Sequence, residues 1–280
     1  MNLQDIRNII KRAIKLRLKQ KIPVDESFCI FDLANDLGVE VRFEEIASLD
    51  GAYFKESKAI LVSTLRPEGR IRFTCAHELG HFIFKHGDHF DELVEKASTG
   101  ENKIEERMAN IFAAFLLMPE TTVKSFFVAN DWDIANPSPT EIYIAASWLG
   151  VSYSSLVNHL HYSLKIIDNF QFKNLDKIQP KKIKSALCGF PVVSNLIVVN
   201  EHWKGRPIDM QVNDYLMMNR NIKIENDILS PIDSSTDFIF QATKPGLTII
   251  KDDTGNNGMM VRIRRHEYFG RSIFRHLGED

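Results

Sequence analysis

The chain has 280 residues, of which 44% are hydrophobic and 26% charged, with a formal net charge of −2. This supplies enough apolar sequence for a substantial core and enough length for two domains, and it excludes a low-complexity or disordered chain. So small a net charge exerts no global pull on nucleic acid or an anionic membrane, so either partner would have to meet a local patch.

Residues 3–20 place Leu3, Ile6, Ile10, Ala13 and Ile14 on one stripe, with Arg7, Lys11, Arg12, Lys15, Arg17 and Lys19 mostly around it, which predicts an amphipathic first helix. Interspersed Asp5 and the lack of aromatic anchors argue against a membrane-surface helix. No run of about 18 apolar residues is apparent, and cations rather than an apolar signal core fill the first twenty positions, so a cytoplasmic protein without a membrane partner is expected. Cys29, Cys75 and Cys188 form no Cys-x-x-Cys pair, which suits a reducing compartment.

After Pro23 a helix through Leu33 and Leu37 should end at Gly38, and residues 39–43, 51–55 and 59–63 read as short strands. Residues 58–63 are expected either as an edge strand that pairs with a substrate backbone or as a plain hairpin.

The next helix, residues 68–85, carries His77-Glu78-Leu79-Gly80-His81. Two imidazoles four residues apart share one helix face with a carboxylate beside them, the pattern of a zinc hydrolase in which His77 and His81 ligate and Glu78 is the general base. A third ligand should follow, and the helix predicted over 105–119 offers Glu106, with Asn110 one turn on to hydrogen-bond a ligating imidazole. Two imidazoles and a carboxylate suit Zn2+. A donor for the tetrahedral oxyanion is also required, and His86, His89, Tyr53 and His159 are available; residues 87–92 read as a polar loop at the rim.

Ser138-Pro139-Thr140-Glu141 starts a further helix, and the turn at Gly150 with Ser152 as cap gives residues 139–162 the cadence of a helix-turn-helix. Tyr153, Ser154, Asn158, His159 and His161 include no arginine or lysine to hold phosphate, which favours scaffold over DNA reader. From about residue 165, β-rich runs at 195–199, 237–240, 247–250 and 259–263 predict a separate domain, with 252–258 as a hairpin connection. Residues 262–275 hold five arginines among aromatics, either solvated strand faces or a grip for a nucleic-acid signal or an acidic partner.

Phe73-Thr74-Cys75-Ala76-His77-Glu78-Leu79-Gly80-His81, with the later block Glu106, Ala109, Asn110, Phe112, Ala113, Ala114, Leu116, Leu117, Met118 and Pro119, resembles the ImmA/IrrE family of metallopeptidases. Flanking matches at Leu33-Ala34, Leu37-Gly38-Val39, Gly51-Ala52-Tyr53 and Ala59-Ile60-Leu61-Val62 extend the resemblance over about residues 25–162. It implies a gluzincin-like fold and a cytoplasmic enzyme that cleaves a transcriptional repressor in response to stress or mobile-element signals. The family often has a histidine four residues after the second ligand, where this chain has Lys85 and then His86.

The expectation is therefore an α+β chain: a metallopeptidase domain over 1–164, with a small antiparallel sheet and the helix-turn-helix-like pair, and a β-rich sensor or substrate-binding domain over 165–280. Its function would be zinc-dependent, site-specific cleavage of a helix-turn-helix repressor encoded nearby. The rival is a non-proteolytic, antitoxin-like regulator that binds DNA or a partner, against which Glu78 argues, since a structural zinc has no need of a general base.

Overall fold

The computed structural model describes residues 1–92, 101–203, 206–219, 222–232, 238–252 and 258–277. It is a mixed α+β chain with three small sheets, divided into two compact units. The first unit comprises residues 1–123, 149–152 and 267–274; the second comprises 124–148, 153–266 and 275–280. The boundary read from composition at 164/165 thus falls inside the second unit, and residues 267–274 return to the first.

The first unit opens with helix α1 (Leu3–Lys19), closed by an Asn2/Asp5 capping box. Its buried face is Ile9, Ala13, Leu16 and Arg17. Arg17 is not on the solvated face where its charge would put it: its guanidinium donates to the carbonyls of Leu116, Pro23 and Glu26 at 3.0, 3.1 and 2.5 Å and lies over the Phe28 ring. Burial lowers its pKa to about 10.

Helix α2 (Ile30–Asp36) ends at Gly38, whose φ of 75° suits a residue without Cβ. Strands β1 (Glu40–Glu44), β2 (Leu49–Phe54) and β3 (Ala59–Ser63) follow, then helix α3 (Glu68–Phe84), strand β4 (His89–Glu92) and helix α4 (Glu101–Leu117). In the sheet, the returning two-residue strand Gly270–Arg271 pairs with β1, β1 runs parallel to β3, and β2 and β4 complete the order.

Two expectations are corrected here. Strand β3 is central, hydrogen-bonded on both sides, so 58–63 offers no free edge to a substrate; among the described residues the edge beside the helices is β4. Of the segment expected as a rim loop, residues 89–92 are that strand, because His89, Phe90 and Asp91 find partners in Tyr53, Ala52 and Gly51.

The sheet lies close on α3: a Cβ at Gly51 would stand 2.4 Å from the Thr74 methyl. Arg66 and Arg70, either side of the α3 start, donate to the buried Asp50 carboxylate at 2.6 Å each and fix the helix against β2. Helix α4 crosses α3 at Gly80, where a Cβ would lie 3.1 Å from the Ala109 backbone. Helix α5 (Glu120–Ala129) follows Pro119, and residues Lys103–Ala129 together are long and apolar enough to cross a membrane by length and composition, contrary to the sequence reading. In this fold 56% of that window is buried, with α4 packed on α1 and α3.

The second unit holds helix α6 (Pro139–Leu149), started by a Ser138/Glu141 capping box, and α7 (Tyr153–Asn158), which runs into a π-helical turn at His159–Ser163. Helices α8 (Asn169–Asp176) and α9 (Pro180–Cys188) precede any strand, so the region is less purely β than its composition suggests. Strands β5 (Leu196–Val199), β6 (Ile208–Gln211), β7 (Tyr215–Met218), β8 (Ile222–Ile224), β9 (Leu229–Ile232), β10 (Phe238–Ala242), β11 (Gly246–Asp252) and β12 (Gly258–Arg264) form two four-stranded sheets, ordered β5-β7-β10-β9 and β6-β12-β11-β8. The connection expected at 252–258 joins the paired strands β11 and β12, but residues 253–257 lie outside the described residues.

Candidate metal centre

Helix α3 buries His77, Glu78 and His81 on the face turned toward β2 and α4. The i and i+4 spacing brings the two Nε2 atoms 3.2 Å apart. Glu106 reaches over from α4, its carboxylate oxygens 3.3 Å from His77 Nε2 and 3.5 Å from His81 Nε2. The close helix crossing at Gly80 makes that reach feasible, since Ala109 and Asn110 are the next turn of α4.

The far nitrogens of both imidazoles have partners. Asn110 Oδ1 lies 3.1 Å from His77 Nδ1, so the ring donates there and keeps its Nε2 lone pair toward Glu106 and His81. His86 Nδ1 lies 3.0 Å from His81 Nδ1 and does the same for the second ring. His86 therefore stands behind His81, on the nitrogen turned away from the cluster, rather than where a substrate oxyanion would form. The turn that puts it there is Lys85, left-handed at φ 60° at the end of α3.

His89 comes into the cluster from β4. Its Nε2 is 2.5 Å from the Glu106 carboxylate, its Nδ1 is 3.0 and 3.3 Å from the two Glu78 oxygens, and its ring stacks on His81 with centroids 3.8 Å apart. Donor atoms of His77, His81, His89 and Glu106 all lie within 4.8 Å of one another. Tyr53 sits opposite His89 in the strand register, its ring edge-on to Phe82. His159 belongs to the second unit and is not part of this group.

Electrostatics separate these residues. Burial, helped by His89 and His77 nearby, lowers the His81 pKa to about 2, so it is a neutral donor at any ordinary pH. Burial likewise lowers His86. For Glu106 burial acts the other way, yet the imidazoles of His77 and His89 beside it win and hold its carboxyl well below the usual range. Burial also opposes a charge on His89, but its bonds to Glu106 and Glu78 raise its pKa to about 10. Burial, with Asp88, raises Tyr53 and keeps it a phenol.

Converging acceptor lone pairs need a cation, and the spacing tests which. Zinc bonds of 2.0–2.1 Å give a tetrahedral edge of about 3.3 Å. The separations of 3.2, 3.3 and 3.5 Å among His77, His81 and Glu106 match it. A nitrogen-rich donor set with one carboxylate fits zinc among divalent ions.

Residues 34–161 match the IrrE N-terminal-like domain family. This stretch is a domain of the ImmA/IrrE family. Two curated relatives are radiation response metalloproteases IrrE: that of Deinococcus radiodurans is 39% identical over 89 residues, 31% of this chain and 27% of the relative, and that of Deinococcus deserti is 36% identical over 85 residues, 29% and 30%. The chain thus spans less than a third of the length of these IrrE relatives. A solved Mycobacterium tuberculosis transcriptional regulator aligns at 15% identity with a TM-score of 0.38, over 55% of this chain and 46% of that one.

The five arginines of 262–275 lie outside the IrrE-like domain and are mostly committed. Arg262 donates to the neighbouring-strand Asp209 at 2.7 and 2.8 Å, Arg275 adds a contact at 3.2 Å, Arg264 is buried, and Arg271 pairs with Glu40. Sequence reasoning lists His89 as a candidate oxyanion donor and not with His77, His81 and Glu106; its one available signal for that place was a third histidine within eight residues of His81.

Proposed function

We propose that this chain is a zinc-dependent endopeptidase of narrow specificity, cytoplasmic, whose substrate is a helix-turn-helix repressor encoded nearby in a stress or mobile-element response. The observation that carries the reading is Glu78: a fully buried carboxylate one residue from a zinc-spaced donor set, where a structural metal site would gain nothing from it. The IrrE relatives, radiation response metalloproteases by name, support the same class of reaction.

His77, His81 and Glu106 would hold the ion, with Asn110 and His86 fixing the two ring orientations. Zinc seated there would polarise the scissile carbonyl and make a water acidic near neutral pH. Glu78 takes the proton of the attacking water and delivers it to the leaving amine, so it alternates between base and acid. Tyr53, a phenol on the same sheet face as His89, is the donor best kept for the developing oxyanion. The second unit would sense the activating signal or present the repressor.

The test is incubation of the full chain and Glu78→Gln with the neighbouring repressor, with and without zinc, followed by mass spectrometry. Defined fragments from the wild type with zinc, and none from Glu78→Gln, support the reading. A repressor bound stably but uncut by both overturns it in favour of a non-proteolytic regulator.

A further inference from the structure

We propose that His89 is a removable fourth donor: with β4 in place it closes the metal site and holds Glu78, and the enzyme becomes competent only when this edge strand leaves β2. The proposal rests on the peptidase reading above and adds a regulation to it.

A catalytic zinc keeps one of its four positions for water, whereas a site closed by four protein donors is inert. Here a fourth group is present, within 4.8 Å of the other donors. The same imidazole engages the general base, its Nδ1 3.0 and 3.3 Å from the two oxygens of Glu78. One side chain would therefore take the place of the water and engage the carboxylate that would deprotonate it.

The four donors differ in how firmly they are held. His77, His81 and Glu106 stand on α3 and α4, two 17-residue helices in close contact. His89 begins a four-residue strand that pairs, among the described residues, with β2 alone, and that pairing breaks register between Leu49 and Gly51. Phe90 beside it is half exposed, and a Cβ at Gly87 would meet open space. Short edge strands with few buried contacts are the elements that open locally at least cost. Its detachment frees the fourth position and Glu78 in one movement, without disturbing the three helix-borne donors.

The experiment loads the full chain with Co2+ and titrates acetohydroxamate, reading the visible absorption of the metal. A resting population open at 10% or less reduces apparent affinity by that fraction, so His89→Ala should bind the hydroxamate at least about tenfold more tightly than wild type. Ala52 and Phe90 are directly opposite in the β2–β4 ladder, a separation that a disulfide spans. The double variant Ala52→Cys/Phe90→Cys, which leaves every donor intact, should lose both hydroxamate binding and repressor cleavage when oxidised and regain both on reduction.

Equal hydroxamate affinity in wild type and His89→Ala, or full cleavage by the oxidised double variant, overturns the gate while leaving the peptidase reading standing. Cobalt that fails to bind, or binds as well after His77→Ala, overturns the reading and the gate with it.

Discussion

The two units bury charged groups in opposite ways. In the second, Arg262 and Arg275 close on one carboxylate, Asp209, and Arg206 covers the Trp203 ring while donating to the Trp148 carbonyl. Each guanidinium there lies against a carboxylate, a carbonyl or a ring of its own unit. In the first, His77, His81, His89, Glu78 and Glu106 crowd imidazoles and carboxylates into one cluster, with donor atoms of four of them within 4.8 Å of one another. Buried charge alone is therefore poor evidence of function, whereas metal-ligating donors that converge within reach of one ion are good evidence.

The sharpest way to break the contrast is Glu78→Gln. It keeps size and hydrogen bonding but cannot take a proton, so repressor cleavage should fall by about 10²–10⁴-fold with zinc content and thermal midpoint close to wild type. Unaltered cleavage would reduce Glu78 to one more structural carboxylate.

Asp209→Ala asks the converse question. Removing the shared carboxylate takes an anionic partner from two buried guanidinium groups, which costs about 3–5 kcal/mol of stability. Denaturant unfolding should report that loss, while zinc affinity measured by competition with a chelator stays put. A fall in zinc affinity would mean that the two networks are not independent.

A smaller effect sharpens the site itself. Asn110→Ala removes the acceptor behind His77 and should weaken zinc about 10–100-fold without changing the ligand set. The same chelator competition checks it, with Glu105→Ala as the neighbour expected to do nothing.

How much of this was legible beforehand depended on the range of the interaction. His77, Glu78 and His81 are readable because helix geometry converts a local spacing into a shared face, and Glu106 with Asn110 follows by the same rule. His89 was not, since Gly87 and Asp88 signal a turn and a four-residue segment of His, Phe, Asp and Glu has no β pattern; pairing with β2 makes it a strand. Periodicity puts Arg17 around the apolar stripe of α1 and leaves Arg262 as either a solvated strand face or a grip for a partner. Leu116, which accepts from Arg17, lies 99 residues away and Asp209, which accepts from Arg262, lies 53 away, where no local pattern reaches. The central place of β3 is of the same kind, set by a parallel partner and a returning strand from residues 270–271.

The smallest prediction concerns the site without its ion, where the imbalance should show as pH dependence. His89 has a folded pKa of about 10 against 6.5 unfolded, so its charged form stabilises the metal-free protein fully below pH 6.5, and that stability is lost as pH rises through 10. His81 has the opposite sign: at about 2 in the fold it must stay neutral, so stability falls as pH drops below 6.5. The metal-free chain should therefore be most stable near pH 6.5, with an alkaline limb that belongs to His89. In His89→Gln that limb should flatten while the acid limb remains, as read from urea midpoints between pH 5 and 10. An alkaline limb of equal slope in both proteins would place the extra proton elsewhere and remove His89 from the charge balance that distinguishes this unit from the other.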